Sequence, residues 1–173
     1  YSKNETRLCS YPRLKGNGEG YIVLPSVYTI DADAFYRSSI PHVVLPSKIT
    51  QIKSGTFANA RIKDITIPST VKGLGRGAFY NCTNLKNMFF MPKTPPAVYD
   101  IDVNSVLYTG ADGVGYDERG EHPFVNMTEC TLYTQCYSGT SWPDVASEVN
   151  PVKYYDVKYD PYINTSTDTT RPF

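Results

Sequence analysis

Three acidic or amide side chains, Asp100, Asp102 and Asn104, alternate along the chain in the way that a calcium-binding loop presents its oxygen ligands. A loop of the EF-hand type also requires glycine at its sixth place and glutamate at its twelfth, and those places hold Ser105 and Ala111. The same alternation is typical of a half-buried strand whose acids face water. We therefore predict a strand here and no metal site.

The histidines give no better basis for catalysis. The chain has two, His42 and His122, which lie 80 residues apart, and no Gly-x-Ser-x-Gly or His-Glu-x-x-His motif accompanies them. His42 starts a short apolar run and fits an exposed position on a strand. Two glycine-rich stretches, 16–20 and 73–77, lack the Lys-Ser/Thr of a phosphate-binding loop and are predicted to be turns. The sequence predicts a non-enzymatic protein without a cofactor; an enzyme would need a cleft in which His122 meets an acid or Cys136.

The four cysteines show neither a Cys-x-x-Cys pair nor the Cys/His spacing of a zinc site. Cys82 follows Phe79-Tyr80-Asn81 in a repeated segment of the chain and is predicted to be a small buried side chain. Cys130 and Cys136 cannot pair if they lie on one strand, because the extended chain between them spans ~20 Å and a disulfide needs Cα atoms ~5–6 Å apart. A bridge from Cys9 stays open, so the cysteines do not decide the redox compartment.

Charge and hydropathy exclude several classes of partner. The chain has 17 Lys and Arg and 17 Asp and Glu, and this balance argues against binding to nucleic acid and against an electrostatic membrane anchor. No apolar run approaches the ~18 residues of a membrane-spanning helix. The chain begins at Tyr1 rather than Met, so we expect a mature or trimmed fragment whose export signal or anchor is out of view.

The elements that position these side chains follow from a repeat of 22 residues. Apolar residues recur at this spacing in three sets: Val27, Ile49 and Val71; Ile30, Ile52 and Leu74; and Phe35, Phe57 and Phe79. Self-similarity at a fixed period of this length indicates a solenoid, in which each unit buries its apolar face by stacking on its neighbours. We predict a β-rich solenoid of three to four coils, with short parallel strands and only short turns of helix near the Phe positions.

Prolines end the brief apolar runs, because proline has no N–H to donate to a sheet. The predicted strands are Tyr21–Leu24, His42–Leu45, Asp64–Ile67 and Asn87–Phe90. The predicted organisation is an N-terminal cap or remnant of a preceding repeat (1–20), the repeats (21–98), an insertion (99–123), a C-terminal cap of mixed strand and loop (124–163) and a polar tail (164–173). Insertions between repeats map to loops on one face, which is often the binding face.

Alternate residues of each strand point to opposite faces of a sheet. The predicted inward residues are Ile22 and Leu24, Val43 and Leu45, Ile65 and Ile67, and Met88 and Phe90. The outward residues then form two columns: Tyr21, His42, Asp64 and Asn87 in one, and Val23, Val44, Thr66 and Phe89 in the other. The second column is more apolar than solvent alone would select, and a contiguous apolar stripe tends to mark an interface. We predict that these eight side chains bind a partner; the alternatives are that the insertion or cap covers them, or that β-propensity alone selected them.

One stretch of the repeat reads Ile62-x-x-Ile65-x-Ile67-Pro68-x-x-Val71-x-x-Leu74-x-x-x-x-Phe79-x-x-Cys82-x-x-Leu85. This pattern resembles the BspA-type leucine-rich repeat of bacterial surface proteins. Phe124, Thr131-Leu132-Tyr133 and Trp142 resemble the terminal cap of that family, although residues 97–123 are longer than its usual connection. The resemblance implies a leucine-rich-repeat solenoid and, by analogy alone, a role in adhesion.

The predicted solenoid and the resemblance to the BspA-type family together favour a secreted or cell-surface module that binds another protein or a matrix component. A solenoid offers an extended surface for such binding. A glycan-binding accessory domain is one alternative, in which exposed aromatic side chains act as stacking platforms. The candidates for such platforms are Tyr21, Phe89, Tyr108, Tyr116 and Trp142. A structural spacer within a longer surface protein is the other alternative, and it would show a polar outer face without a large apolar patch.

Overall fold

The computed structural model describes residues 1–13, 18–93, 97–99, 123–124, 127, 130–134 and 153–156. In chain order the strands are β1 (Arg7–Leu8), β2 (Tyr21–Ile22), β3 (Thr29–Ile30), β4 (His42–Val44), β5 (Gln51–Ile52), β6 (Asp64–Ile67), β7 (Gly73–Gly75), β8 (Asn87–Phe90), β9 (Ala97–Tyr99), β10 (Thr131–Thr134) and β11 (Lys153–Asp156). These residues contain no helix, and the short turns of helix predicted near the Phe positions are hydrogen-bonded turns.

Six strands form the main sheet in the order β11-β10-β8-β6-β4-β2, and every neighbouring pair is parallel. Partner residues lie 22 positions apart between β2 and β4, between β4 and β6, and between β10 and β11. The spacing between β6 and β8 is 23, because the third coil is one residue longer. The sheet order therefore follows the sequence repeat, and the predicted parallel solenoid is confirmed.

A narrower set of strands lies along a second side of each coil. Strands β5, β7 and β9 pair in parallel, with Ile52 opposite Leu74. Strand β1 pairs with β3, so Leu8 lies opposite Ile30, 22 residues further on, and is buried in the core. The first residues of the chain thus supply one buried rung ahead of the first full coil.

Aromatic rings stack along the corner that follows these narrow strands. The ring centroids of Phe35 and Phe57 are 5.1 Å apart, and those of Phe57 and Phe79 are 5.3 Å apart, with planes within 8° of parallel. Tyr11 continues the stack beyond Phe35, and Phe124 continues it beyond Phe79. A fully buried aromatic stack of this kind holds successive coils at one spacing.

The backbone turns sharply on both sides of each stacked Phe. Around Phe57 the turn is made by Gly55 (φ 63°) and Asn59 (φ 57°), both in the left-handed region that glycine and asparagine tolerate best. The equivalent residues of the neighbouring coils have positive φ as well: Asp33, Arg37, Gly77 and Asn81. The repeat therefore preserves a backbone conformation as well as a hydrophobic pattern.

The first coil differs from the prediction by one residue. Tyr21 pairs with Val43 and Ile22 with Val44, so Ile22 lies in the outward column and is 67% exposed. Val23 is 2% exposed and belongs to the core, although the sequence analysis placed it outward. The prediction aligned the Leu-Pro-Ser motifs, whereas the stacking of buried side chains such as Val27 sets the register, and a slip of one residue exchanges the two faces of a strand.

The coil resumes after the insertion. Phe124 stacks on Phe79, the Phe79 N–H donates to the Pro123 carbonyl at 2.8 Å, and Leu132 lies opposite Met88 in the main sheet. Five residues separate Leu74 from Phe79, whereas 26 separate Val98 from Phe124, so the extra chain enters at the corner before the Phe stack. Residues 100–122, which make up most of the predicted insertion, lie outside the described residues.

Candidate functional site

The outer face of the main sheet carries one column that is largely apolar. Its members, opposite one another on successive strands, are Ile22, Val44, Thr66, Phe89 and Tyr133. Their side chains are exposed or half-buried, whereas the residues that precede them on the same strands, such as Ile65 before Thr66 and Met88 before Phe89, are fully buried. Thr66 is the one member of this column that is neither aliphatic nor aromatic, so the column forms an almost continuous apolar ridge across the coils.

The C-terminal end of this ridge is an aromatic pair. The rings of Phe89 and Tyr133 stack with centroids 4.8 Å apart and planes 15° from parallel. Parallel rings at this distance each cover one face of the other, so the stacking shields one face of each ring from solvent. Tyr133 was absent from the predicted site. Phe124 and Leu132 have nearly the spacing of Phe79 and Met88, and this similarity could have placed Tyr133 beside Phe89.

A second outward column is polar. Asn87 donates its side-chain N–H to Asp64 Oδ1 at 2.6 Å, and His42 Nδ1 lies 3.5 Å from the other oxygen of Asp64. All three side chains are half-buried, and Thr131 follows Asn87 in register. Asp64 therefore accepts a hydrogen bond from Asn87 and lies beside His42, and this column forms a polar border beside the ridge.

Two predicted site residues do not lie on this face. Tyr21 is in register with inward-facing Val43, and its ring packs against Tyr11 and Phe35 at 4.6 Å and 6.1 Å. Burial raises the pKa of the Tyr21 phenol well above its usual range, and its hydrogen bond with Tyr1 acts in the same direction. Val23 is in the core, so neither it nor Tyr21 can be part of a shared outer surface with Phe89.

Several other candidates lie outside the described residues. They are Tyr108, Tyr116, Trp142, His122, Cys136 and the Asp100–Asn104 alternation. Within the part of the chain that the structure describes, no group of three or more His, Cys, Asp or Glu side chains could hold a metal ion. The same part contains no helix of the length and hydropathy needed to cross a membrane.

The described cysteines are free thiols. Cys82 is fully buried, as predicted, and its Sγ donates to the Phe57 carbonyl at 3.0 Å. Burial raises the pKa of the Cys130 thiol to about 12, with the nearby Asp64 carboxylate acting in the same direction. Cys9 is exposed and forms no bridge with Cys82 or Cys130, so the disulfide left open by the sequence is not formed among these three.

Comparison with known proteins agrees with this geometry. The family model described as "BspA type Leucine rich repeat region (6 copies)" matches residues 19–107. A solved leucine-rich repeat protein from Eubacterium ventriosum is similar, with 26% identity and a TM-score of 0.51 over 78% of this chain. The chain spans only 31% of that protein's length, and no curated protein matches. The parallel strands at a 22-residue period and the family match together show that this chain belongs to the BspA-type leucine-rich repeat family.

Proposed function

We propose that this protein is a non-enzymatic binding module that holds a protein partner against the outer face of its main sheet. The observation that carries the proposal is the partly exposed, largely apolar ridge formed by Ile22, Val44, Thr66, Phe89 and Tyr133. Leucine-rich repeat domains generally bind proteins, and exposed apolar stripes bordered by polar side chains are typical of interfaces.

The apolar surface is wider than the ridge alone. The positions that follow it by two residues along the chain hold Leu24, Pro46, Pro68 and Met91, and all but Pro46 are partly exposed. His42, Asp64 and Asn87 border the other side of the ridge as a polar column. An apolar centre with a polar rim is the usual anatomy of a protein–protein interface.

The aromatic pair favours a protein partner over a glycan. A sugar stacks on the open face of an exposed ring, whereas Phe89 and Tyr133 are half-buried and each covers one face of the other. Ring edges pack well against the aliphatic and aromatic side chains of a protein surface. The position of Tyr21 inside the coil removes another of the predicted sugar platforms.

We also propose that the module acts at a cell surface or in secreted form, in adhesion to another protein or a matrix component. The support for this is the BspA-type family, whose bacterial members are typically surface or secreted proteins. A structural spacer remains the alternative function, and the exposed ridge is the observation that speaks against it.

The test is capture of partners by the immobilised protein from two panels, one of host-matrix proteins and one of glycans. The Val44→Asp/Phe89→Asp variant places two charges on the ridge, and Ser47→Asp/Thr50→Asp is the matched control at exposed positions on another side of the coil. Cooperative urea unfolding of each variant verifies that it is folded.

Capture of a protein by the wild type and the control, but not by the ridge variant, is the expected result. Capture that the ridge variant retains would contradict the sheet face as the site. Capture of a glycan alone would favour the accessory-domain function, and no capture from either panel would favour the spacer.

A further inference from the structure

The neutral total charge conceals two regions of opposite sign. Residues 1–98 contain 13 Lys and Arg but five Asp and Glu, a formal charge of +8. Residues 99–173 contain four Lys and Arg but 12 Asp and Glu, a formal charge of −8. The balanced total charge therefore does not exclude an anionic partner for the repeats, which are strongly basic.

Part of this positive charge lies in a strip on the side of the coils between the Phe stack and the main sheet. Arg37, Arg61, Lys63 and Lys86 are all exposed there. Backbone hydrogen bonds hold their segments in stacked rungs: Lys63 N donates to the Pro41 carbonyl at 2.7 Å, and Lys86 N donates to the Lys63 carbonyl at 2.8 Å. Because neighbouring strands lie ~4.8 Å apart, the cations follow one another along the solenoid axis.

An aromatic ring fixes two guanidinium groups at the N-terminal end of the strip. The Cζ atoms of Arg13 and Arg37 lie 5.0 Å and 5.2 Å from the centroid of the Tyr36 ring, which is buried. A cation–π contact orients a guanidinium while leaving its N–H groups free to bind an anion. Neither arginine takes part in the ion pairs that Asp31 makes with Arg7 and Lys53 or in the contact between His42 and Asp64.

We propose that this basic strip (Arg13, Arg37, Arg61, Lys63 and Lys86) binds an anionic polysaccharide carrying carboxylate or sulfate groups. A stiff chain of acidic sugars presents its charges in a row, as the stacked coils present their cations. The strip is distinct from the apolar ridge, so this inference does not depend on the proposed protein-binding function.

Two other polyanions fit the strip less well. Single-stranded nucleic acid binds by stacking its bases on exposed rings, and the Tyr36 ring is buried beneath arginines. An acidic peptide gains most of its affinity from apolar or aromatic anchors in desolvated pockets. The exposed side chains that define the strip are all charged.

The test is binding of the full chain to immobilised heparin and polygalacturonate, with neutral dextran as the blank, at low ionic strength. Arg61→Glu/Lys63→Glu is compared with Lys48→Glu/Lys72→Glu, which makes the same change of charge at exposed lysines on another side of the coil. We expect at least ~10-fold weaker binding for the strip variant and less than ~2-fold for the control, with affinity falling as salt rises.

A third variant, Arg37→Asn, introduces the residue found at the equivalent positions, Asn59 and Asn81, and so preserves the left-handed turn. It should weaken binding while the protein remains folded. Three outcomes would overturn the proposal: no binding to either polysaccharide, equal loss in the strip and control variants, or equally tight binding of polyglutamate or poly(U) RNA.

Discussion

The inner and outer faces of the main-sheet strands differ in how strongly the solenoid restricts their side chains. Facing inward, Val43, Ile65 and Met88 are all large, apolar and buried, and they lie opposite one another from coil to coil. Facing outward, Thr66 and Phe89 are neighbours that share neither size nor polarity. Stacking requires large apolar side chains at the same interior positions of every coil, whereas the outer side chains can differ from coil to coil. We therefore expect a partner to be recognised by the outer face.

The largest effect should come from the centre of the aromatic stack. Phe57→Ala removes a fully buried ring that stacks on both Phe35 and Phe79, and we expect a loss of about 3–5 kcal/mol in the free energy of unfolding. Urea unfolding measures it, with Thr66→Ala on the outer face of the main sheet as the control, expected to change stability by less than about 0.5 kcal/mol. Equal losses for both would contradict the distinction between the faces.

A slightly smaller loss is expected where two coils approach most closely. A Cβ on Gly75 would lie 2.3 Å from the backbone nitrogen of Ser54, so Gly75→Ala forces the coils apart and should destabilise the protein by about 2–3 kcal/mol. At Gly18 a Cβ would meet open space, and only its positive φ opposes the substitution, so Gly18→Ala should reduce stability by about 1 kcal/mol. Thermal unfolding of the two variants distinguishes them, and the reverse order would refute the close approach.

Alkaline pH should act on the interior through the buried thiols. The folded protein keeps the Cys130 proton up to a pKa of about 12, whereas the unfolded chain loses it near the ordinary value of 9.0. Above that value the native state binds more protons, so stability is complete below pH 9 and falls by about 1 kcal/mol per pH unit between 9 and 12. Cys130→Ala should reduce the slope of unfolding free energy against pH, and an unchanged slope would show that this thiol does not contribute.

Substitution in a left-handed turn should reduce the free energy of unfolding by a smaller amount. Asn59→Ala loses the hydrogen bond that Asn81 donates to Asn59 and places alanine at φ 57°, so we expect a loss of about 1–2 kcal/mol. Asn59→Gly also loses the side-chain bond but accepts the backbone conformation, and it should be less destabilising. If the two variants unfold at the same urea concentration, the turn conformation does not contribute.

The smallest effect should be the coupling between the exposed rings. A double-mutant cycle of Phe89→Ala and Tyr133→Ala should give an interaction free energy of about 0.5–1 kcal/mol, because the two rings stack but remain half-exposed. Urea unfolding of the four proteins in the cycle measures it. Strict additivity would mean that the rings do not contact each other in solution.

Most of the interior was predictable because stacking leaves a period in the sequence. The spacing of Val27, Ile49 and Val71 predicted the coils, and Cys82 was correctly assigned to the core. The error in the first coil came from reading Pro25 as the equivalent of Pro46, although burial and not proline position sets the register. The slip of one residue, which placed the buried Val23 on the outer face and the exposed Ile22 on the inner face, shows how small an error reverses the two faces.

The outer surface was less predictable, because nothing repeats there. Tyr133 lies 44 residues after Phe89, with the insertion between them, so strand pairing is needed to show that the chain returns to the sheet beside Phe89. The basic strip was hidden by a total charge of zero. It becomes visible only when Lys63 and Lys86 are placed on successive rungs.

The most direct test of the central claim, that recognition uses the outer sheet face, is hydroxyl-radical footprinting with the first matrix protein that the wild type captures. Mass spectrometry would measure oxidation of Phe89 and Tyr133 on the ridge, with Tyr28, which is 57% exposed away from it, as the internal reference. We predict that the partner protects Phe89 and Tyr133 and leaves Tyr28 unchanged. Protection of Tyr28 with unchanged oxidation of the two ridge aromatics would contradict the account.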